Sequence, residues 1–142
     1  MKFNKLSGTF GNIEGSLSFG DGLNVYCAPN ESGKTTWCAL LKSVLYGISS
    51  SERAKNGFIP DKIRFAPWSG KPMFGRLLIE KDRREILIER TSARGAPFKS
   101  FSAVYQDSGR EVPELDGSNA GTRLIGVDSK VFARTLMCRG SV

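Results

Sequence analysis

Residues 28–36 read Ala-Pro-Asn-Glu-Ser-Gly-Lys-Thr-Thr, and this run gathers the groups that polyphosphate chemistry needs. A phosphate chain carries several negative charges and requires donors that approach without steric clash. A loop that wraps it and ends at a helix N-terminus aims backbone N–H groups and the positive helix end at the anion. Within the pattern GxxxxGK[ST], Gly33 lets the backbone come close. Lys34 sets an ammonium between the β- and γ-phosphates, and Thr35 offers a hydroxyl to Mg2+. Ala28 stands where the pattern has its first glycine, which suits a position that needs smallness more than positive φ. Ala28, Pro29, Asn30, Glu31, Ser32, Gly33, Lys34, Thr35 and Thr36 are therefore the candidate cofactor-binding residues. Thr35 is the metal ligand among them, and the implied cofactors are ATP and Mg2+. Glu31 is read as pointing away from the phosphates, with no catalytic role.

A turn in solvent can spell the same letters, so the flanking elements decide. Leu23-Asn24-Val25-Tyr26 reads as a short strand running directly into the loop. From Thr35 onward, Trp37, Leu40, Leu41, Val44, Leu45 and Ile48 keep the i, i+3, i+4, i+7 spacing of one helix face, and Gly47 is a natural stop. Upstream, Phe3, Leu6 and Phe10 lead to a turn at Gly11-Asn12. Ile13, Leu17 and Phe19 then alternate with polar residues as a half-buried strand. Residues 49–73 show no period and read as a long exposed loop. Phe74 to Lys81 and Glu85 to Thr91 form a β-hairpin around Asp82-Arg83, on which Leu77 and Ile79 share a face that Ile86 and Ile88 can pair with. Phe101, Ala103 and Tyr105 suggest a further strand. The tail carries short helices near Gly121–Ile125 and from Ser129 to Thr135, the second capped by Asp128 or Ser129. The expected fold class is α/β, with a mixed sheet, a phosphate-loop helix across it and an antiparallel β-layer. Its expected organisation is one unit over 1–142: strands in 1–26, the loop at 28–35, a helix over 35–47, a connecting loop at 49–73, the β-layer at 74–106 and tail helices within 113–136.

Composition narrows the chemistry further. The 142 residues are 39% hydrophobic and 25% charged, the profile of a soluble globular domain. No apolar run is long enough to span a bilayer, and the N-terminal MKFNKLSGTF lacks the apolar centre of a signal peptide, so a cytoplasmic location is expected. The chain has no histidine, which removes Ser-His and Cys-His catalysis. The cysteines Cys27, Cys38 and Cys138 show no metal-binding spacing and read as reduced thiols. The net charge of +7 is concentrated: residues 1–50 contribute +1 (four basic, three acidic), 51–100 contribute +6 (twelve, six) and 101–142 contribute zero (five, five). Arg64, Lys71, Arg76, Arg83, Arg84 and Arg94 are thus candidates for contact with nucleic-acid phosphates, although a solvated surface accounts for each singly. Trp37 falls on the apolar helix stripe and reads as core, whereas Trp68, in a Pro/Gly loop, could equally stack on a base.

Asn30-Glu31-Ser32-Gly33-Lys34-Thr35-Thr36 resembles the N-terminal ATPase lobe of SMC-like ABC ATPases: the SbcC (Rad-fifty) repair proteins, with RecF, RecN and SMC as relatives, and a bacterial branch whose loop reads PNExGKST. The likeness extends over most of the chain, through Gly22-Leu23-Asn24-Val25, Leu45-Tyr46-Gly47, Ala66-Pro67-Trp68-Ser69-Gly70, Ile88-Glu89-Arg90, and Gly126-Val127-Asp128 leading to Val131-Phe132-Ala133-Arg134. The resemblance implies ATP bound between two heads, hydrolysis with Mg2+ and coupling to DNA handling. It also implies that Phe10, Gly11 and Asn12 lie beside the base and ribose. The implied partners are a C-terminal ATPase lobe, a second head, DNA and a nuclease subunit, with no membrane.

The chain departs from that family at three places. Where such lobes close with a Gln loop, this chain reads Met137-Cys138-Arg139-Gly140: either Gly140 replaces the glutamine or the glutamine is skipped, with Arg139 and Gly140 as the candidate Gln-loop position. No four-residue apolar run is followed by Asp-Glu, so the second metal anchor and general base are missing; Leu77-Leu78-Ile79-Glu80 and Ile86-Leu87-Ile88-Glu89 read as plain hairpin strands. The ABC signature and switch histidine are absent as well. No complete catalytic set is expected in this chain, which reads as the first half of an ATPase whose C-terminal lobe is supplied elsewhere. Two other readings remain. One is a different P-loop enzyme such as a kinase or a GTPase, although no NKxD base-reading motif occurs. The other is a non-catalytic nucleotide-dependent dimerisation or DNA-binding module.

Overall fold

The computed structural model describes residues 2–20, 34–48, 55–57, 59–93 and 96–135. Five strands, β1 (Lys2–Phe10), β2 (Ile13–Ser18), β3 (Phe74–Lys81), β4 (Arg84–Ala93) and β5 (Ala96–Tyr105), form one sheet in the order β2-β1-β3-β4-β5. Every pairing among them is antiparallel. The described strands are thus an antiparallel sheet, where the sequence suggests a mixed one; the strand expected at 23–26, which would run into the loop, lies outside the described residues. The helices are α1 (Lys34–Tyr46), α2 (Asp61–Arg64), α3 (Ala120–Ile125) and α4 (Ser129–Thr135).

Alternation sets the two faces of the sheet. Leu77 pairs with Ile88 and Ile79 with Ile86, and all four are buried on the face that meets α1. Leu6 and Phe10 of β1 continue that face, while Arg76, Glu80 and Glu85 point outward. The hairpin turns at Asp82 and Arg83, both with positive φ (53° and 64°), as a two-residue turn that matches strand twist demands.

Two glycines decide how close α1 can lie. Gly8 and Gly75 are cross-strand partners. A Cβ on Gly75 would stand 2.5 Å from Cγ2 of Val44, and one on Gly8 would stand 3.2 Å from Cδ2 of Leu40. Leu40 and Val44 are fully buried, so the helix presses its apolar stripe into the space that two missing side chains leave.

The segment read as an exposed loop is more ordered than its lack of period suggests. It contains α2, and Pro60, Phe65 and Met73 are buried. Four helical residues make one turn, too short for a period to register, and Phe65 is drawn in by stacking on Phe10 at 5.0 Å. In the tail, Asp128 caps α4 by accepting the Val131 N–H at 2.9 Å. Residues 113–119, before α3, form turns and not helix.

Candidate nucleotide-binding edge

Lys34 and Thr35 are the first two residues of α1, so the backbone puts the last letters of the motif at a helix N-terminus, the end at which a helix's first N–H groups lack intrahelical acceptors and its dipole is positive. The first turn contains no acidic residue. No carboxylate of the helix itself neutralises that end, which fits a polyanionic ligand and, with the Thr35 hydroxyl type at the second position, a phosphate-held magnesium. Ala28, Pro29, Asn30, Glu31, Ser32 and Gly33 lie outside the described residues.

The Gly11-Asn12 turn is brought to this same end of α1. The Thr36 hydroxyl donates to Oδ1 of Asn12 at 2.8 Å. Gly11 has φ of 54°, and a Cβ there would stand 3.0 Å from Cγ2 of Thr36. A side chain would strain the backbone and push the turn off the helix. Behind it, the Gly11 N–H donates to the Phe65 carbonyl at 2.7 Å, and the Trp68 N–H donates to the Gly11 carbonyl at 2.9 Å. Phe10, Gly11 and Asn12 thus stand with Thr36 as one hydrogen-bonded edge, extended by residues 65–68.

The opposite end of α1 is anchored by Arg90. This side chain is only 3% exposed. Its Nε donates to the Val44 carbonyl at 2.5 Å, its Nη2 to the Leu45 carbonyl at 3.1 Å and its Nη1 to the Gly117 carbonyl at 3.1 Å. The guanidinium also lies 4.7 Å from the centroid of the Phe101 ring. Burial pushes its pKa down to about 10, with nearby Asp116 pulling the other way, so it stays charged at neutral pH. A cation among the last carbonyls of a helix complements the negative helix end. Next to it, the Tyr46 hydroxyl donates to the Val127 carbonyl at 2.8 Å and its ring packs on Phe132. Burial, and then the charge of Asp128, raise the Tyr46 pKa. The helix is therefore fixed at its far end to β4, to the turn before α3 and to α4.

The basic middle third is less available than its charge suggests. Lys71 pairs with Glu14 at 2.7 Å, Arg76 with Glu89 at 2.9 Å and Arg84 with Asp107 at 3.2 Å. The Arg84 guanidinium also stacks 3.6 Å from the Tyr105 ring centroid. Arg83 stands in the exposed hairpin turn, and Arg94, Arg139 and Gly140 lie outside the described residues. Trp37 is half-buried against the core, and Trp68 is exposed. Cys38 is a half-buried cysteine on α1, whereas Cys27 and Cys138 lie outside the described residues. Among the described residues no three His, Cys, Asp or Glu side chains gather as a metal site, and no helix is long and apolar enough to cross a membrane.

The role of Arg90 was not visible in the motif, yet strand alternation carried the signal. Ile86, Ile88 and Arg90 fall on one face of β4, and an arginine at the third inward position requires buried acceptors.

A phosphate-loop sequence opening a helix packed on a sheet is the layout of a nucleoside-triphosphate-binding domain. A family model described as an AAA domain matches residues 7–140, and the chain belongs to that family. It is accordingly an ATPase-type nucleotide-binding domain in the general sense, of a kind that binds ATP and typically Mg2+. No curated protein matches the chain.

Proposed function

We propose that the chain binds Mg-ATP through residues 28–36 and serves, in the cytoplasm, as the N-terminal lobe of an SMC-like DNA-repair ATPase. The observation that carries the reading is the position of Lys34 and Thr35 at the start of α1, a helix with no acid in its first turn. Lys34 would hold the β- and γ-phosphates and Thr35 the magnesium, which when bound neutralises charge building on the phosphoryl oxygens. Asn12 and Thr36 keep the β1–β2 turn on the side where ribose and base extend. Phosphoryl transfer to water also needs a second metal anchor, a group that orients the water and charge stabilisation from the far side. In this reading a C-terminal lobe and a second head supply them, and DNA and a nuclease subunit are the further partners. The SMC-like assignment is supported by the resemblance of the loop, the Ala66–Gly70 segment and the Gly126–Arg134 segment.

The test is Mg-ATP binding and phosphate release by the purified chain and its Lys34→Ala variant. We expect ATP binding by the wild type, loss of it in the variant with an unchanged circular-dichroism spectrum, and little multiple turnover by either. Unchanged affinity in Lys34→Ala would refute the loop assignment. Robust turnover by the wild type that disappears in the variant would refute the half-site reading.

A further inference from the structure

Trp68 is 81% exposed, more than any other exposed large hydrophobic residue among those described. An indole left in water is ordinary at the tip of a loose loop, but the backbone beneath this one is held from several sides. Trp68 donates its N–H to Gly11, Gly11 donates its own to Phe65, and the Phe65 ring stacks on fully buried Phe10. Three residues further on, the Lys71–Glu14 ion pair joins the segment to β2. A large flat apolar face is thus presented on a fixed support, which is the arrangement of a stacking platform.

Its location selects the ligand. Gly11, which anchors the Trp68 backbone, is followed by Asn12, which accepts from Thr36 in the first turn of α1. The Trp68 backbone is therefore joined, through the Gly11-Asn12 turn, to the first turn of α1. Arg64, four residues earlier, lies with its guanidinium 5.1 Å from the Phe65 ring centroid and adds positive charge to the bend. An aromatic side chain on a held backbone, a nearby cation and a turn bonded to a helix N-terminus match a molecule with an aromatic ring at one end and a polyanion at the other. We infer that Trp68 is the surface on which the purine base of a bound nucleoside triphosphate stacks. This inference rests on the nucleotide-binding reading above and adds a base-recognition residue to it. Stacking reads the area of the π-face, so purine triphosphates bind more tightly than pyrimidine ones at this site, with little choice between adenine and guanine.

The experiment titrates ATP and inorganic tripolyphosphate, each with Mg2+, into wild type, Trp68→Ala and Trp68→Phe. The backbone bond to Gly11 survives both substitutions. We expect Trp68→Ala to weaken ATP about ten- to a hundredfold, the range of a base–aromatic stack, to leave tripolyphosphate unchanged, and Trp68→Phe to recover most of the loss. In a Trp37→Phe background, ATP should quench the remaining tryptophan emission and tripolyphosphate should not. Equal ATP affinity in wild type and Trp68→Ala overturns the inference while leaving nucleotide binding in place. Equal losses for ATP and tripolyphosphate overturn it in favour of a structural role. Unchanged ATP affinity with lost binding of a single-stranded oligonucleotide assigns the ring to nucleic acid and also overturns it. A wild type that binds neither ATP nor tripolyphosphate fails the proposed function, and this inference with it.

Discussion

Replacing Arg90 with methionine keeps the length and apolar bulk of the side chain and removes its donors. Three carbonyls, those of Val44, Leu45 and Gly117, then lose their guanidinium partner. A buried acceptor without a partner costs about 1–3 kcal/mol. Val44 and Leu45 are in the last turn of α1, where no intrahelical donor replaces the lost one. Against this, the variant is relieved of burying a cation, a penalty of about 3 kcal/mol judged from a pKa lowered from 12.5 to about 10. Two or three orphaned carbonyls, the lost stacking on Phe101 and the lost helix-end charge outweigh that relief, leaving a net destabilisation of about 2–4 kcal/mol. For a domain of ordinary stability this is a large fraction of the total. Urea unfolding followed by circular dichroism at neutral pH measures it. With a slope of about 1–3 kcal/mol per molar, the midpoint should fall by roughly 1–2 M with the slope unchanged. Arg90→Lys, which keeps a charge but only a point donor, should fall between the two. A midpoint for Arg90→Met within about 0.3 M of wild type would mean that water satisfies these carbonyls and that the clamp carries no stability.

Gly75→Val places a side chain where α1 already touches the sheet, so it should destabilise by about 1–3 kcal/mol or more and weaken ATP binding through the displaced helix, both read by urea melts and ATP titration. Asn12→Ala removes the acceptor of the Thr36 hydroxyl; it should cost about 1 kcal/mol at most in stability while lowering ATP affinity, and an unchanged affinity would detach the β1–β2 turn from the nucleotide edge. Asp116 accepts from the Ser118 hydroxyl and from the N–H groups of Ser118 and Asn119, which hold its carboxyl below the ordinary aspartate value of 3.8. A depressed folded pKa stabilises above the unfolded value and is lost as pH falls through the folded one, so the wild type should lose stability below about pH 4 more steeply than Asp116→Asn, and identical acid limbs would refute the link. If the chain binds DNA, Arg83→Glu should weaken that binding and reduce its salt dependence without altering ATP affinity.

What was legible in the sequence, and what was not, follows from the range of the forces involved. The helix stripe from Trp37 to Ile48 and the paired runs around Asp82-Arg83 are local patterns, because burial on one side writes a period of 3.6 or 2 into consecutive residues. The Asn12–Thr36 contact spans 24 positions and the Arg90–Val44 contact 46, and neither leaves a period. Both residues of the first contact stood in candidate segments, but only the fold joins them. Phe65 escaped for a related reason: the one-turn helix just before it is too short to show a face, and its burial depends on Phe10, which lies far away in the sequence. Charge misled in the opposite direction, since an excess of +6 over residues 51–100 suggests an open basic surface. Tertiary structure commits Arg90 to carbonyls and pairs Lys71, Arg76 and Arg84 with carboxylates. A helix whose C-terminal carbonyls are held by a buried cation has that end neutralised from within the fold, while its first turn carries no acid of its own. The candidate site is therefore a property of the whole of α1 and its supports. That is why Arg90, at the far end of the helix from Lys34, is the residue whose loss would most directly test whether the phosphate edge depends on a firmly held helix.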